Sequence, residues 1–414
     1  MARPTNVSEE SLTSTPHPYR WTMLGGVWLL YFAFAIAIAS MAPLVYRIMP
    51  DLGMHRGEMG TVLAAWQLTY IFCSVPCGGL LDRFGPRKTM FASILVIALS
   101  VVSRGFAWDY LTLLVAVMVF GLGGPLISSG APKVVSLWFV GKERGFAMGV
   151  YFTGNAMGGI VAIALTNSVF LPAVGGDWRD LMSAYALFIV IVGLIWLAVS
   201  AHPASREMEK KLSAEPKRRS LDVFLELVRD PIVRLVLLMG LLILFYNHGM
   251  THWLPDLLRS YGMSPTQAGY WAAVPTLFGM VASLSLPRMA TPDKRFIILL
   301  ALFISAAIAT LLVYSAAGPL LAAGLVLQGM CRGAMTSISI LLLIESGDGS
   351  TNRVGAASGL YFSVGEVGGV LGPMSMGLLA HTTGNFDASL FMMFGIACLL
   401  MLVLLRLRFV QKIS

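Results

Sequence analysis

The sequence has little charge for its length. Charged residues make up 12% of its 414 positions, whereas hydrophobic residues make up 57%. A soluble domain carries about 25% charged residues, so a chain with half that share cannot cover a large surface that faces water. This shortage excludes an ordinary soluble protein and indicates that lipid is the solvent for most of the surface.

Cysteine is also scarce, and signatures of catalysis or metal binding are missing. Cys73, Cys77, Cys331 and Cys398 all lie in apolar segments, without the spacing of a redox or zinc motif. The sequence contains no Gly-x-Ser-x-Gly turn, no His-Glu-x-x-His pair and no paired intramembrane aspartates. These absences argue against a membrane enzyme. We therefore expect no catalytic residues, no bound metal and no cofactor.

Long apolar runs are what the chain has in abundance. Twelve segments are apolar over about 20 residues, the length that crosses a hydrocarbon core of about 30 Å. We therefore predict an all-α membrane protein with twelve transmembrane helices in two six-helix bundles. The predicted parts are a disordered tail at 1–20, bundles at 21–201 and 231–408, a polar linker at 202–230 and a second tail at 409–414.

The distribution of lysine and arginine sets the predicted orientation. Most of them lie in the tails, the linker and alternate loops, and the opposite side carries few. Those few are Arg47, Arg56, Arg104, Arg179 and Arg259. Because basic loops stay in the cytoplasm, we expect both termini there, in a multi-pass protein of a bacterial inner membrane. The net charge of +8 then reflects orientation, and we expect no nucleic-acid partner.

The two halves of the chain repeat one pattern. Ala147–Gly159 matches Ala357–Gly369, with Ala, Gly, Tyr, Phe, Gly and Gly at the same offsets. A shorter echo joins residues 53–60 to residues 262–269. Two related bundles are typical of a transporter whose substrate site lies between the halves, near the middle of the membrane.

The loop after the second apolar segment carries a family resemblance. It reads Gly-Gly-Leu-Leu-Asp-Arg-Phe-Gly-Pro-Arg-Lys over residues 78–88, and it resembles the signature between the second and third spans of the major facilitator superfamily. The resemblance implies the major facilitator fold and a role in conformational gating for Asp82, Arg83, Gly85 and Arg87. Taken without the resemblance, the same loop is a tight turn with orienting positive charge.

Other segments narrow the resemblance. Residues 133–145 are similar to the junction between the fourth and fifth spans of many bacterial anion and carboxylate facilitators, which places Arg144 with the gating residues. The fifth span lacks the Gly-Pro motif of drug/proton antiporters. The second and eighth spans lack the embedded arginines with which nitrate/nitrite members bind their anion. The chain then resembles cyanate-permease-like and monocarboxylate or other organic-anion facilitators.

Two ionisable residues stand near the middle of predicted spans, where each costs about 2.5–3.5 kcal/mol on insertion scales. Arg332 either clamps the carboxylate of a passing solute or forms a structural ion pair with Glu366. Glu366 either carries the coupling proton or neutralises Arg332. His248 either takes part in substrate and proton binding or is a hydrogen-bonded structural residue.

Further side chains are candidates for the wall of a substrate cavity. They are Asn247, Gln67, Tyr151 and Tyr361. The leading hypothesis is a monomeric secondary transporter of a small organic anion, resembling monocarboxylate carriers, with protons as the coupling ion and the lipid bilayer as its surroundings. The alternative is a proton-driven efflux pump for amphipathic compounds or drugs, in which the 24 methionines and the aromatic residues line an adaptable pocket.

Overall fold

The computed structural model describes residues 17–207, 229–315, 318–345 and 351–413, and these are helical nearly throughout. The side chains of residues 75, 82, 141–142, 343–345, 351–358 and 412–413 are outside the description, as is most of the predicted linker. The first half contains α1 (Arg20–Ala39), α2 (Val45–Asp51), α3 (Arg56–Gly105), α4 (Tyr110–Trp138), α5 (Gly141–Leu165), α6 (Leu171–Ala173) and α7 (Trp178–Ser200). The second half contains α8 (Pro231–Ser260), α9 (Pro265–Met289), α10 (Arg295–Tyr314), α11 (Gly318–Glu345), α12 (Thr351–Thr383) and α13 (Asp387–Ile413).

The predicted helical membrane fold is confirmed. Within the described residues, eleven stretches are long and apolar enough to cross a membrane. One of them, Arg83–Gly105, is the second arm of α3, whose backbone breaks at Gly85, where φ is +77°. The first arm, which begins at Arg56, corresponds to the second of the twelve predicted spans and is not among the eleven. Residues 66–70 before the break and residues 93–96 after it both face Gly121–Gly124 of α4. The chain therefore reverses at Gly85, a backbone conformation that glycine adopts without the steric penalty of a side chain.

The end of helix α1 provides hydrogen-bond acceptors for a buried arginine, Arg104. The chain continues from α1 through a 3₁₀ turn at Ala42–Leu44 into α2. Arg104, one of the few basic residues predicted on the outer side, is 2% exposed and donates hydrogen bonds to the Ala37 carbonyl and to the hydroxyls of Ser40 and Ser100. The end of α1 leaves backbone carbonyls without helical donors, and the guanidinium donates to one of them, that of Ala37.

The internal repeat is visible as equivalent helix contacts. Helix α5 packs on α1, and helix α12 packs on α8. A methyl group on Gly158 would collide with the Phe32 carbonyl of α1, and one on Gly368 would collide with the Leu241 carbonyl of α8. Small residues at both sites let the helix backbones touch. The two bundles are therefore related by pseudo-symmetry, as the repeat predicted.

The two halves meet along two equivalent seams, α3 with α12 and α5 with α9. A methyl group added to Gly60 would lie 2.7 Å from the Pro373 carbonyl oxygen. One added to Gly269 would lie 2.7 Å from the Ile163 carbonyl oxygen. The shorter sequence echo thus marks one position of close backbone contact on each seam.

Contacts between the halves are concentrated at one end of the bundle, which we call the outer end because the charge distribution predicts that it faces outwards. This end carries residues 52–55, 174–177 and 261–264. Four of its contacts between halves are together termed the outer closure. They are the stacked rings of His55 and His381 at 4.0 Å, the Arg56–Asp256 ion pair at 3.3 Å, Arg259 over the Tyr46 ring at 4.0 Å, and Asn167 donating to the Pro265 carbonyl at 3.4 Å.

Candidate transport cavity

A cavity of about 740 Å³ lies between the two halves. Its wall extends from Ala42, beside the outer closure, to Leu284 and Ile340 near the opposite ends of α9 and α11. The polar and charged side chains in the wall include Tyr151, Thr153, Asn155, Asn247, His248, Thr251, His252 and Arg332. Because most of the remaining wall is apolar, these few groups determine which polar solute fits.

Arg332 lies on α11 and faces the cavity. Glycines on either side of it, Gly329 and Gly333, bring the α11 backbone against α9, since a methyl group on either would collide with a carbonyl of that helix. The Arg332 guanidinium donates to the Thr251 hydroxyl, and its Nε is buried without a partner. Among the described residues, no carboxylate lies within ion-pair distance of it. The ion pair with Glu366, one of the two roles left open for Arg332, is therefore absent in this conformation, and the charge faces a space that a solute can enter.

His248 joins the two halves at the floor of the cavity. Its Nδ1 lies 2.8 Å from Gln67 Nε2 on α3 and 3.8 Å from Glu366 Oε2 on α12. Gln67 is fully buried, and its Nε2 also lies 3.5 Å from the Gly369 carbonyl oxygen. Glu366 is 9% exposed, and its Oε2 has no hydrogen-bond partner. The residues predicted for proton coupling thus lie together.

The other predicted cavity residues divide into two groups. Asn247 and Tyr151 line the cavity, whereas Gln67 reaches it only through His248. Tyr361 is not part of the wall. It is fully buried against Gly240, and its neighbour Phe362 lines the cavity instead. The repeat predicted equal roles for the two tyrosines, but the close packing of α12 on α8 turns this one inwards.

The structure adds residues that the sequence reasoning did not select. Thr251 and His252 follow His248 by three and four positions, so they lie on the same face of α8. The rings of His248 and His252 are 6.0 Å apart. Asn155 comes to the cavity from α5. The helical spacing from His248 was the available signal for the first two, and nothing marked Asn155 beyond its place in the repeat.

The loop with the family signature forms the reversal of α3. Thr89 Oγ1 donates to the Gly85 carbonyl at 2.6 Å, and Trp196 Nε1 donates to the Arg87 carbonyl at 3.1 Å. The first bond lies within α3, and the second fastens the turn to α7. The Asp82 side chain lies outside the described residues.

The two other predicted gating residues have local contacts. Arg83 is exposed, and its guanidinium lies 5.2 Å from the Phe84 ring centre. Arg144 donates from Nε to the Phe139 carbonyl at 3.0 Å and from Nη2 to the Ser136 carbonyl at 3.1 Å. Arg144 thereby satisfies carbonyls at the end of α4, a stabilising contact in its own right.

A central cavity between two pseudo-symmetric helical bundles defines the class of secondary transporters. The sequence profile of the Major Facilitator Superfamily matches residues 27–347 and 256–412. The chain belongs to this superfamily, and it is a transporter rather than an enzyme.

Individual relatives agree with this assignment. The chain is 24% identical over 397 residues to a quinolone resistance transporter of Acinetobacter baumannii, covering 89% of this chain and 90% of the relative. It is 23% identical over 392 residues to a hexuronate transporter of Bacillus subtilis (strain 168), covering 89% of each. Among solved structures it is similar to the nucleoside transporter NupG, with a TM-score of 0.76 at 13% identity, covering 93% of this chain and 99% of that one. The likeness to NupG shows the shared fold.

Proposed function

We propose that this protein carries a small organic anion across the membrane by alternating access, coupled to protons. The observation that carries the proposal is Arg332, a guanidinium that lines the cavity without a carboxylate partner among the described residues. A buried charge is costly unless it is paired. A solute carboxylate that forms two parallel hydrogen bonds with the guanidinium supplies the missing partner.

The surroundings of Arg332 suit such a ligand. Thr251 of α8 accepts a hydrogen bond from Arg332. Asn247, four positions earlier on the same helix, also lines the cavity, and its buried Oδ1 has no partner. Asn155 lines the cavity from the other half. The cavity therefore offers one cation for an acid group and several neutral groups for hydroxyls or carbonyls. The similarity to a hexuronate transporter supports this direction, because a hexuronate carries one carboxylate and several hydroxyls.

Proton coupling is assigned to Glu366 and His248. Both titrate, both are largely shielded from solvent, and His248 lines the substrate cavity. Binding of substrate and proton shifts the equilibrium between a conformation with the outer closure formed and one in which it has separated. We further propose that both termini lie in the cytoplasm, as the basic loops predict. We also propose that the protein is a monomer.

The proposal is tested by transport into vesicles that contain purified protein. Labelled monocarboxylates and sugar acids are supplied outside, with and without an inward proton gradient. We expect a gradient-dependent uptake that Arg332→Ala reduces at least tenfold. Arg234→Ala, which removes an exposed arginine of α8, is the matched control and should transport normally. Equal uptake by the two variants, or no uptake of any carboxylate, contradicts the proposal.

A second candidate is efflux of amphipathic compounds. It is favoured by the similarity to a quinolone resistance transporter and by the apolar side of the cavity, where Met148, Phe152, Met280 and Phe362 are located. Methionine and aromatic side chains adapt to varied ligands. Drug tolerance of cells with and without the protein separates the candidates: raised tolerance that survives Arg332→Ala supports efflux.

A further inference from the structure

The contacts of His248 differ across the boundary between the halves. Its Nδ1 contacts Gln67 Nε2 of the first half at 2.8 Å. The same Nδ1 faces Glu366 Oε2 of its own half at 3.8 Å, beyond hydrogen-bond distance. Nδ1 of His248 thus contacts Gln67 of the first bundle, and it lies near Glu366 of the second bundle without forming a hydrogen bond to it.

The chemistry of Gln67 determines which atom donates in this conformation. Its Nε2 lies near the Gly369 carbonyl oxygen at 3.5 Å as well as near His248. Turning the amide over would place its Oε1 against that carbonyl, so that two acceptors would face each other. The amide therefore donates, and His248 Nδ1 accepts. An Nδ1 that accepts carries no proton, so the imidazole in this conformation is neutral.

Gly369 keeps open the gap between the two ionisable groups. A methyl group there would lie 2.6 Å from Glu366 Oε2 and 2.9 Å from His248 Nδ1. In the equivalent helix of the first half, Ala156 occupies the position of Glu366, and a methyl group on Gly159 would meet nothing within 4 Å. Glu366 and the gap between it and His248 are therefore features of the second half, without an equivalent at the matching positions of the first.

Resting on the proton coupling proposed above, we infer that His248 is a proton-driven switch that exchanges Gln67 for Glu366 and so loosens the contact between halves. A proton from cavity water binds Nδ1, which then becomes a donor. It can no longer accept from Gln67, because two donors would face each other. It turns to the unpartnered Glu366 oxygen and forms a charge-assisted bond within its own half. The bond between α3 and α8 is lost, which favours separation of the outer closure.

The charged groups around His248 give the switch its direction. Glu366 faces it from α12, and the neighbouring His252 lies on its own helix. Arg332 lines the same cavity from α11. The Arg332 guanidinium disfavours a protonated His248, and an anionic solute on Arg332 removes part of that repulsion. Substrate and proton therefore assist each other's binding, which is what symport requires.

The experiment measures the separation of the outer ends directly. Spin labels at Phe106 and Ser260, exposed residues at the outer ends of the two halves, report the distance by pulsed electron resonance. The four native cysteines are replaced by serine. In the parent protein we expect the open-to-closed ratio to rise as the pH is lowered from about 8 to values well below the usual histidine pKa of about 6.5.

Three variants identify the switch. Gln67→Leu removes the bond between halves, so the open-to-closed ratio should rise roughly 2- to 10-fold at about pH 8 and change little on acidification. Gly369→Ala fills the gap without altering either ionisable group, and it should abolish the response to pH. Asn167→Ala is the matched control: it removes a different bond between halves, so it should raise the ratio at every pH and keep the response.

Two results would overturn the switch. One is a pH response in Gln67→Leu and Gly369→Ala equal to that of Asn167→Ala. The other is a parent protein whose outer distance does not depend on pH. Neither depends on the identity of the solute, because the labels report conformation without substrate. An anion that is transported by a protein with no pH-dependent opening leaves the proposed substrate class standing and removes the switch. A pH-dependent opening without transport of any anion supports the switch and contradicts the proposed substrate class.

Discussion

The contact at Gly60 allows the equilibrium between conformations to be changed with one methyl group. In Gly60→Ala the added carbon would lie 2.7 Å from the Pro373 carbonyl oxygen and 3.3 Å from the Cα atoms of Met374 and Gly377. All three atoms belong to the backbone of α12, so no side chain can rotate away. Overpacking of this kind costs about 1–3 kcal/mol. The cost is removed when α3 and α12 separate, so the open-to-closed ratio at the outer end should rise roughly 5- to 150-fold.

Gly78→Ala on the same arm of α3 is the control. Both substitutions strengthen the helix by about 1 kcal/mol, but a methyl group on Gly78 meets nothing within 4 Å. The assay labels Ala156→Cys, in the cavity wall, with a maleimide that cannot cross the membrane and is added from outside. In a background without native cysteines, labelling should be faster in Gly60→Ala than in Gly78→Ala. Equal rates would refute the claim that this seam closes the outer end.

Three other predictions follow from contacts outside the cavity. Asp256→Asn weakens the ion pair with Arg56 that joins the halves. Because hydrogen bonds to charged groups contribute about 1.5–3 kcal/mol, the substitution should raise the same labelling rate about tenfold. An unchanged rate would exclude the pair from the closure. Arg104→Leu leaves the end of α1 without its donor and should lower stability by about 1–3 kcal/mol in detergent unfolding, and an unchanged midpoint would contradict that role. Asp109 is the N-cap of α4 in an outer loop, and hydrogen bonds from Thr112 lower the pKa of its carboxyl group. The charged carboxylate therefore stabilises the fold above the usual carboxylate pKa of about 4, and this stabilisation is lost as the pH falls through the lowered pKa. Asp109→Asn should reduce that part of the acid dependence of the unfolding midpoint, and an identical pH profile would argue against it.

The sequence was sufficient for the architecture because the signals for it are local. Apolar length defines the spans, and glycines at fixed offsets mark close helix contacts. The echo from residues 53–60 to 262–269 identified Gly60 and Gly269, which the structure places on the two seams between halves. Both signals, apolar length and glycine spacing, can be recognised in the sequence without knowing which helices will be neighbours.

The details of the site depend on helix rotation and on distant partners, which a single sequence does not encode locally. Tyr151 and Tyr361 occupy equivalent positions, yet only the first lines the cavity. Arg332 and Glu366 are the obvious opposite charges in the second half, but Glu366 faces His248 instead. Each of these outcomes depends on which face of a helix packs against its neighbour.

The central claim is that Arg332 receives the negative group of the transported solute. The most direct measurement compares the binding of a carboxylate and of its uncharged amide to purified protein, by calorimetry, for the parent and for Arg332→Ala. We expect the parent to bind the acid at least tenfold more tightly than the amide, and the variant to lose this preference while its unfolding midpoint is retained. A variant that stays folded and still prefers the acid would contradict the claim.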